Sequence, residues 1–493
     1  MGEHLPILQV ILPLISAPVC LLIRHAVLCW LIATLVSWLC LAIAVLLLLQ
    51  ALDGGAIRYQ LGSWVAPWGI EYVVDRLNGF ILVIVAAIGA VVAPYALRSV
   101  TEELPERQIG LFYVMYLLCL SGLLGITITG DAFNVFVFLE ISSLSSYALI
   151  SLGRHRKALH AAYQYLVMGT IGATFFLIGV GLLYLMTGTL NMADLAEQLK
   201  PLQGSRIVLA AFGFIVVGMG LKLAVFPLHL WLPNAYAHAP SAVSVFLAGT
   251  ATKVSLYVVL RFIFTVFGFE FSFVGQPFGP ALLVLAIAGI VVCSLVAIFQ
   301  DNVKRLLAWS SVAQIGYMLL GLSFATALGL QAGLLHIFNH ALMKAGLFLA
   351  MGCVFLRLGS CRLEAIAGVG RQMPWTMTGF LLCGLSLIGV PLTAGFVSKW
   401  YLVLAALEKG WWPVAALIVL TSLLAVVYIW KVVEAAWFRD PPGTAGRIGE
   451  APLAMLVPLW IVVAANIWFG FETSGNVDVA KAAAHSTAPI SAR

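Results

Sequence analysis

The sequence predicts an all-α polytopic membrane protein of about fourteen transmembrane helices, and three observations lead there. Of its 493 residues, 62% are hydrophobic and only 9% are charged, whereas soluble domains carry about 25% charged residues. The apolar residues gather into runs long enough, at roughly 20 per crossing, to span a bilayer. Short polar and basic stretches, not long hydrophilic blocks, separate those runs.

The spans follow in chain order. The first two, 5–22 and 27–50, part at Arg24. Glu3 and His4 precede the first without a basic stretch or a cleavage-type site, so it is expected to be a retained helix. The segment 53–76 is too polar to cross, and its tyrosines and tryptophans suit an interfacial hairpin. Span 77–98 runs to Arg98, and after Arg107 come 109–129 and 131–151. The cluster Arg154, Arg156 and Lys157 precedes 161–187, and Lys200 precedes 206–229, which opens at Arg206. Spans 241–266 and 279–299 lead to Lys304 and Arg305, which open 304–323. Then come 328–357, 373–403 beyond Arg371, 411–438 beyond Lys409, and 452–471 beyond Arg439 and Arg447. The small, polar remainder, 472–493, is expected to be a flexible tail. Residues 1–108 thus form an N-terminal part of helices and hairpin. Basic residues favour one set of loops, which by the positive-inside rule puts both termini on the outer face of a cytoplasmic membrane.

Two spans are interrupted. In 218-GMGLKLAVFPLHLWLPNAYAHAPSA-242 and in 386-SLIGVPLTAGFVSKW-400, prolines remove backbone hydrogen bonds at membrane depth. Pro227, Pro233, Pro391 and Gly395 are the expected breaks. The freed carbonyls are tolerated only beside protein or water. Lys222 precedes one break and Lys399 follows the other. Paired discontinuous helices point to inverted repeats, here 109–266 and 279–438, around a polar path.

Several chemistries are excluded. The net charge of +6 is scattered and forms no nucleic-acid footprint. The eight cysteines form no C-x-x-C and read as small buried hydrophobes. No dinucleotide fingerprint, P-loop or zinc-protease motif is present, and no cofactor is expected in the chain.

The buried ionisable residues carry the functional signal. Glu140, Lys222, Lys253, Lys344 and Lys399 lie inside apolar spans, with His229, His336 and His340 beside them. A charge at the bilayer centre costs about 2.5–3.5 kcal/mol, so these five would cost about 12–17 kcal/mol if unhydrated and unpaired. That reaches or exceeds the whole stability of a domain, about 5–15 kcal/mol. A wet or paired interior is therefore expected. Glu140 has a structural ion pair with one lysine as its alternative reading, Lys222 and Lys253 have snorkelling, and the histidines have satisfied core positions. Lys431 and Glu434 are expected to pair at i,i+3 near Arg439. His336, His340 and Lys344 recur every four residues and so share one helix face. A zinc site there would need ligands that the sequence does not supply nearby. A proton relay suits them better, because imidazole titrates near neutrality and burial favours neutral lysine. A carboxylate near Lys222 would favour its protonated form and couple the two charges.

The motifs 131-DAFNVFVFLEISSLSSYAL-149, 222-KLAVFPLHLWLPNAYAHAP-240, 249-GTATKVSLYVVLRF-262, 305-RLLAWSSVAQIGYMLLG-321, 336-HIFNHALMKAGLF-348 and 389-GVPLTAGFVSKW-400 stand in this order. Together they resemble the antiporter-like membrane subunits shared by respiratory complex I, membrane-bound hydrogenases and Mrp-type cation/proton antiporters. The resemblance implies two inverted five-helix repeats with broken helices around a hydrated axis. It implies that Glu140 and Lys222 are the coupling pair of the first half and Lys253 the link between halves. Lys399 would be the exit residue of the second half. Length, Lys399 and the texture of 131–153 are most similar to the D-type subunits of Mrp antiporters. That implies a subunit of a hetero-oligomeric Na⁺ or K⁺/H⁺ antiporter that makes and breaks no substrate bond. The stretch 229–240 is more similar to complex I and hydrogenase sequences, which keeps a proton-pumping subunit of a redox complex as the alternative. A non-conducting scaffold is a third reading.

Overall fold

The computed structural model describes residues 2–441 and 448–487; Arg447 lies outside them. The described chain is α-helical apart from one two-stranded hairpin. Helix α1 spans Leu5–Ile23 and α2 Ala26–Gly54, followed by strands β1 (Ile57–Gln60) and β2 (Glu71–Val74). Then come α3 (Arg76–Glu103), α4 (Glu106–Ile128), α5 (Ala132–Ser151), α6 (Lys157–Thr187) and the short α7 (Met192–Leu199). Helices α8 (Arg206–Leu223) and α9 (Trp231–His238) form the first broken span, and α10 covers Ser241–Leu260 with a π-helical extension to Val266. Next are α11 (Phe278–Ile298), α12 (Val303–Ser323), α13 (Ala327–Leu358) and the four-residue α14 (Val369–Gln372). The second broken span is α15 (Pro374–Ile388) and α16 (Ala394–Glu408), before α17 (Trp412–Phe438), α18 (Leu453–Phe471) and α19 (Ser474–Thr487).

Among the described residues, thirteen helices are long and apolar enough to cross a membrane. The broken span α15–α16 supplies a fourteenth apolar segment, so every span expected from sequence is present. The hairpin pairs antiparallel, Ile57 with Val74 through Gln60 with Glu71, and exposes Trp64 and Trp68. Arg58 holds Glu71 at 2.8 Å, and Asn191 reaches the same carboxylate at 2.8 Å. The hairpin is thereby tied to the loop before α7.

The 32-residue α13 is the hub of the second half, packed against α3, α10, α12, α15, α16, α18 and α19. A helix with neighbours on all sides can be apolar all round, and its polar residues then have only protein to bond to. That places His336, His340 and Lys344 in the interior.

Three expectations need correction. The sequence predicts a flexible tail over 472–493, but residues 474–487 form α19; 488–493 lie outside the described residues. Its Ala480, Ala483 and Ala484 are buried and, with Asn476, recur at helical spacing, and the helix packs on α3 and α13. Alanine is the strongest helix former, and small side chains allow close packing against neighbours, so the composition that reads as a linker is a docking face. Lys431 and Glu434 do not pair with each other. Lys431 turns to the carbonyls of Ile298 and Gln300 and to Asp301 at 3.7 Å, while Glu434 is bound by the Arg439 guanidinium. The planar guanidinium matches a carboxylate at two points, which a single ammonium cannot. Third, the breaks sit elsewhere than two of the expected residues. Pro227 and Pro391 lie in the turns, but Pro233 is the third residue of α9 and Gly395 the second of α16. A first-turn proline lacks only an N–H that would have no helical partner.

A buried lysine axis as candidate functional site

The first broken helix ends at Leu223, where Ala224 turns left-handed with φ 61°. Lys222 is thus in the last turn of α8, where the negative end of the helix dipole favours a cation. The carbonyl of Leu221 is taken by the Trp231 indole at 2.8 Å, and the Lys222 ammonium turns across to α5. There it donates to Ser143 Oγ at 2.6 Å and Tyr147 Oη at 3.2 Å. A cavity of about 20 Å³, with room for a single water or so, adjoins it and is lined by Ser142, Ser143, Ser146 and Ser255.

Glu140 shares a face of α5 with Ser143 and Tyr147. It is half-buried, next to the exposed Val137 and Leu144, and forms no ion pair among the described residues. Its charge acts on Lys222 at a distance. The coupling pair implied by resemblance is therefore not a contact pair.

Lys253 is wholly buried in the middle of α10, its ammonium on the Ala248 carbonyl of its own helix with Thr252 Oγ1 at 3.5 Å. Lys344 is wholly buried too, donating to the Leu307 carbonyl at 2.8 Å and to Ser310 Oγ, both on α12. Helices α10 and α13 are in contact, and the charge of Lys253 reaches His336, His340 and Lys344.

On α13 the His336 and His340 rings lie 6.3 Å apart and nearly parallel. His336 is held on both nitrogens, Nε2 to Gln314 Oε1 at 3.0 Å and Nδ1 to Ser398 Oγ at 2.9 Å. His340 bonds on neither nitrogen. His229, in the turn between α8 and α9, lies flat against Phe226 and edge-on to Trp309, away from the lysines' hydrogen bonds. Its Nδ1 has no partner and Cys293 Sγ is 4.0 Å from Nε2.

Lys399 closes the axis. Its ammonium donates to the carbonyls of Leu387 and Ile388, at 3.0 and 2.9 Å, and to Ser422 Oγ at 3.1 Å. Those carbonyls are the frayed C-terminus of α15, so the second break, like the first, offers a negative helix end to a lysine. Gly389, missed in the sequence, makes this possible. Its φ is +90°, and a Cβ there would lie 2.9 Å from Lys399 Cδ. The overlooked partners are hydroxyls and one amide: Ser143, Tyr147, Ser310, Gln314, Ser398 and Ser422. Their signal is helical spacing, 140–143–147 on α5 being the clearest.

All four lysines are thus bonded only to neutral oxygens, and none has a carboxylate within ion-pair distance among the described residues. The burial and partners of Lys222 and Lys253 replace the snorkelling alternative. Among the described residues no three or more His, Cys, Asp or Glu side chains gather as a metal cluster.

The profile of the NADH:quinone oxidoreductase/Mrp antiporter transmembrane family matches residues 129–425. The chain is 44% identical over 485 residues to the N-type subunit of the NADH-quinone oxidoreductase of Desulforudis audaxviator, covering 94% of each. It is 31% identical to the D-type subunit of the Na⁺/H⁺ antiporter of Alkalihalophilus pseudofirmus, covering 87% of this chain and 86% of that one. A chain of the Mrp complex from Dietzia sp. superposes with a TM-score of 0.90 at 26% identity, over 99% of this chain and 97% of that chain.

Proposed function

We propose, from the premise that the chain belongs to the NADH:quinone oxidoreductase/Mrp antiporter family of transmembrane subunits, that it moves protons along its buried lysine axis. It acts within a hetero-oligomeric membrane complex. The observation that carries this reading is that Lys222, Lys253, Lys344 and Lys399 are buried with ammonium groups that meet only neutral oxygens. A lysine fixed by a carboxylate stays charged; one solvated by carbonyls and hydroxyls can exchange its proton with a neighbour. The order Glu140, Lys222, Lys253, His340 with Lys344, His336, Lys399 runs from the edge of the first half to the second break. Glu140, half-exposed and unpaired on the rim, suits coupling to a neighbouring subunit.

The source of energy lies in those neighbours. The 44% identity to an N-type oxidoreductase subunit over nearly the whole chain favours a redox-driven complex, in place of the D-type antiporter subunit suggested by Lys399 and length. The antiporter reading stands second, on the 31% identity to a D-type relative and the fit to the Mrp complex. An even number of crossings among the described residues, with Arg98, Arg154, Lys157, Arg305, Arg362 and Arg439 on one set of loops, supports both termini on the outer face of the cytoplasmic membrane.

Purification of the complex through a tag on this chain tests the choice. Iron–sulfur EPR signals with large hydrophilic partners are expected; colourless preparations with only small hydrophobic partners would give the antiporter reading its place. Proton movement itself is tested in everted vesicles with the driver so identified, where Lys222→Ala is expected to stop it without loss of assembly.

A further inference from the structure

Away from the lysine axis, six cationic side chains converge on one crevice at the helix ends. Arg154, Arg156 and Lys157 reach it from the turn between α5 and α6, Lys304 and Arg305 from the first turn of α12, and Arg362 from the segment after α13. The crevice holds about 640 Å³. Backbone contacts fix its frame. Asn302 and Arg362 form a β-bridge, flanked by the Val303 N–H on the Cys361 carbonyl and the Leu363 N–H on that of Asp301, both at 2.8 Å. Gly153 lies so close to the His238 carbonyl that a Cβ would clash there. None of the six cations forms an ion pair among the described residues. The two carboxylates in the lining are engaged elsewhere: Glu103 accepts the Ser241 N–H at 2.9 Å at the start of α10, and Asp301 lies 3.7 Å from Lys431.

The positive-inside rule asks only that basic residues lie on this set of loops. It accounts neither for their convergence nor for Lys304, which is 4% exposed and meets the Ser241 hydroxyl at 2.9 Å and the Phe355 ring at 4.8 Å. Two helices also begin at the crevice with cations in their first turn, α6 at Lys157 and α12 at Lys304 and Arg305. The positive end of a helix dipole favours anions, so cations placed there add a repulsion that an anion between them would relieve. The neighbouring start of α10 shows the match, since the Glu103 carboxylate serves it. Below the rim the surface turns apolar. Phe299 lines the crevice at the end of α11 and is 78% exposed, and Leu295 and Val292 continue its exposed face along the span. An anion with acyl chains matches both surfaces, whereas an acidic peptide would have no use for the strip.

We infer that this crevice binds the headgroup phosphate of an anionic phospholipid, with the six cations around the phosphate oxygens and an acyl chain along Val292, Leu295 and Phe299. Basic pockets between transmembrane helices hold such headgroups, and a guanidinium matches phosphate oxygens at two points. The bound lipid joins the turn before α6 to the start of α12 and the segment after α13, which are distant in sequence. No step of proton movement enters the argument, so the site stands or falls apart from that function.

The test uses the intact complex in mild detergent and a phosphatidylglycerol probe with a photoactivatable diazirine in one acyl chain, followed by mapping of the labelled peptides of this chain. Labelling within 292–299 is expected, displaced by unlabelled phosphatidylglycerol but not by phosphatidylcholine. A basic group near a membrane surface is worth about fivefold in binding anionic lipid. Arg156→Gln, Arg305→Gln and Arg362→Gln together should therefore weaken the probe's binding about a hundredfold, and Arg305→Gln alone about fivefold. All three side chains are exposed, and co-purification of partner subunits checks that the variants assemble. Equal displacement by phosphatidylcholine, or labelling undiminished in the assembled triple variant, would overturn the site. So would an absence of labelling in the wild type, whether the crevice retains radiolabelled inorganic phosphate instead or cross-links to an acidic segment of a partner subunit.

Discussion

Replacing Lys399 with methionine separates a conducting lysine from a structural one. Methionine keeps the side chain's length and apolar stem, so the site is not emptied. The loss is the ammonium, which serves three acceptors. Ser422 Oγ keeps its bond to the Ile418 carbonyl at 2.9 Å, so the carbonyls of Leu387 and Ile388 are the groups left wanting. At about 1–3 kcal/mol for each unsatisfied buried group, their cost is about 2–6 kcal/mol. Removing a charge from the membrane interior returns about 2.5–3.5 kcal/mol. The net effect lies between about 1.5 kcal/mol of stabilisation and 3.5 kcal/mol of loss, less than the about 5–15 kcal/mol that holds a domain together. The expected outcome is a complex that assembles normally, seen by co-purification of partners, and proton flux below about a tenth of wild type, as for loss of a group that carries protons itself. Flux at half the wild-type rate or more in the assembled complex would refute the reasoning, since a lysine that only satisfies carbonyls is dispensable for transport.

Three further outcomes are expected. Glu140→Gln keeps shape and removes the charge that acts on Lys222; coupled flux should fall severalfold with assembly unchanged, checked in the same vesicles, and an unaltered rate would count against remote coupling. Gly169→Ala places a methyl against the Tyr147 hydroxyl and 3.3 Å from Lys222 Nζ; overpacking of this kind costs about 1–3 kcal/mol, and flux should drop through displacement of Tyr147, whereas Gly181→Ala, with open space around it, should be silent. At the base of the hairpin, Asp75 pairs with Arg261 at 2.7 Å and caps α3. Burial opposes its charge, but Arg261 and the backbone N–H groups of Asn78 and Leu77 outweigh it and hold the carboxyl below its ordinary value. A folded-state pKa below the unfolded value of about 3.9 contributes stability above that pH and loses it as pH falls through the folded value. Thermal unfolding followed from pH 6 to pH 3 should show this acid loss in the wild type and a smaller one in Asp75→Asn; equal slopes would remove the pair from the account.

The sequence made the helices legible because each span is long and apolar, and it exposed the charged members of the axis because a lone charge in an apolar run has no cheap explanation. Hydroxyls are cheap by comparison. Ser143, Ser310 and Ser422 sit in helices where serine can bond its own backbone, as Ser310 does with the Leu307 carbonyl at 2.9 Å, so nothing in the sequence marks them as lysine partners. Partnership is decided by which helices face each other, and that is set by packing across the whole chain: Lys222 meets Ser143 from 79 residues away, and Tyr317 meets Thr421 from 104. The same limit explains Lys431, which the i,i+3 rule joins to Glu434 but which finds the end of α11 instead. Gly389 and Gly395 differ in the same way, both being glycines near a break, with only the first at positive φ. On the proposed function, the charges that sequence reveals thus define where protons can rest. The neutral oxygens that only the fold brings to them decide how those protons travel.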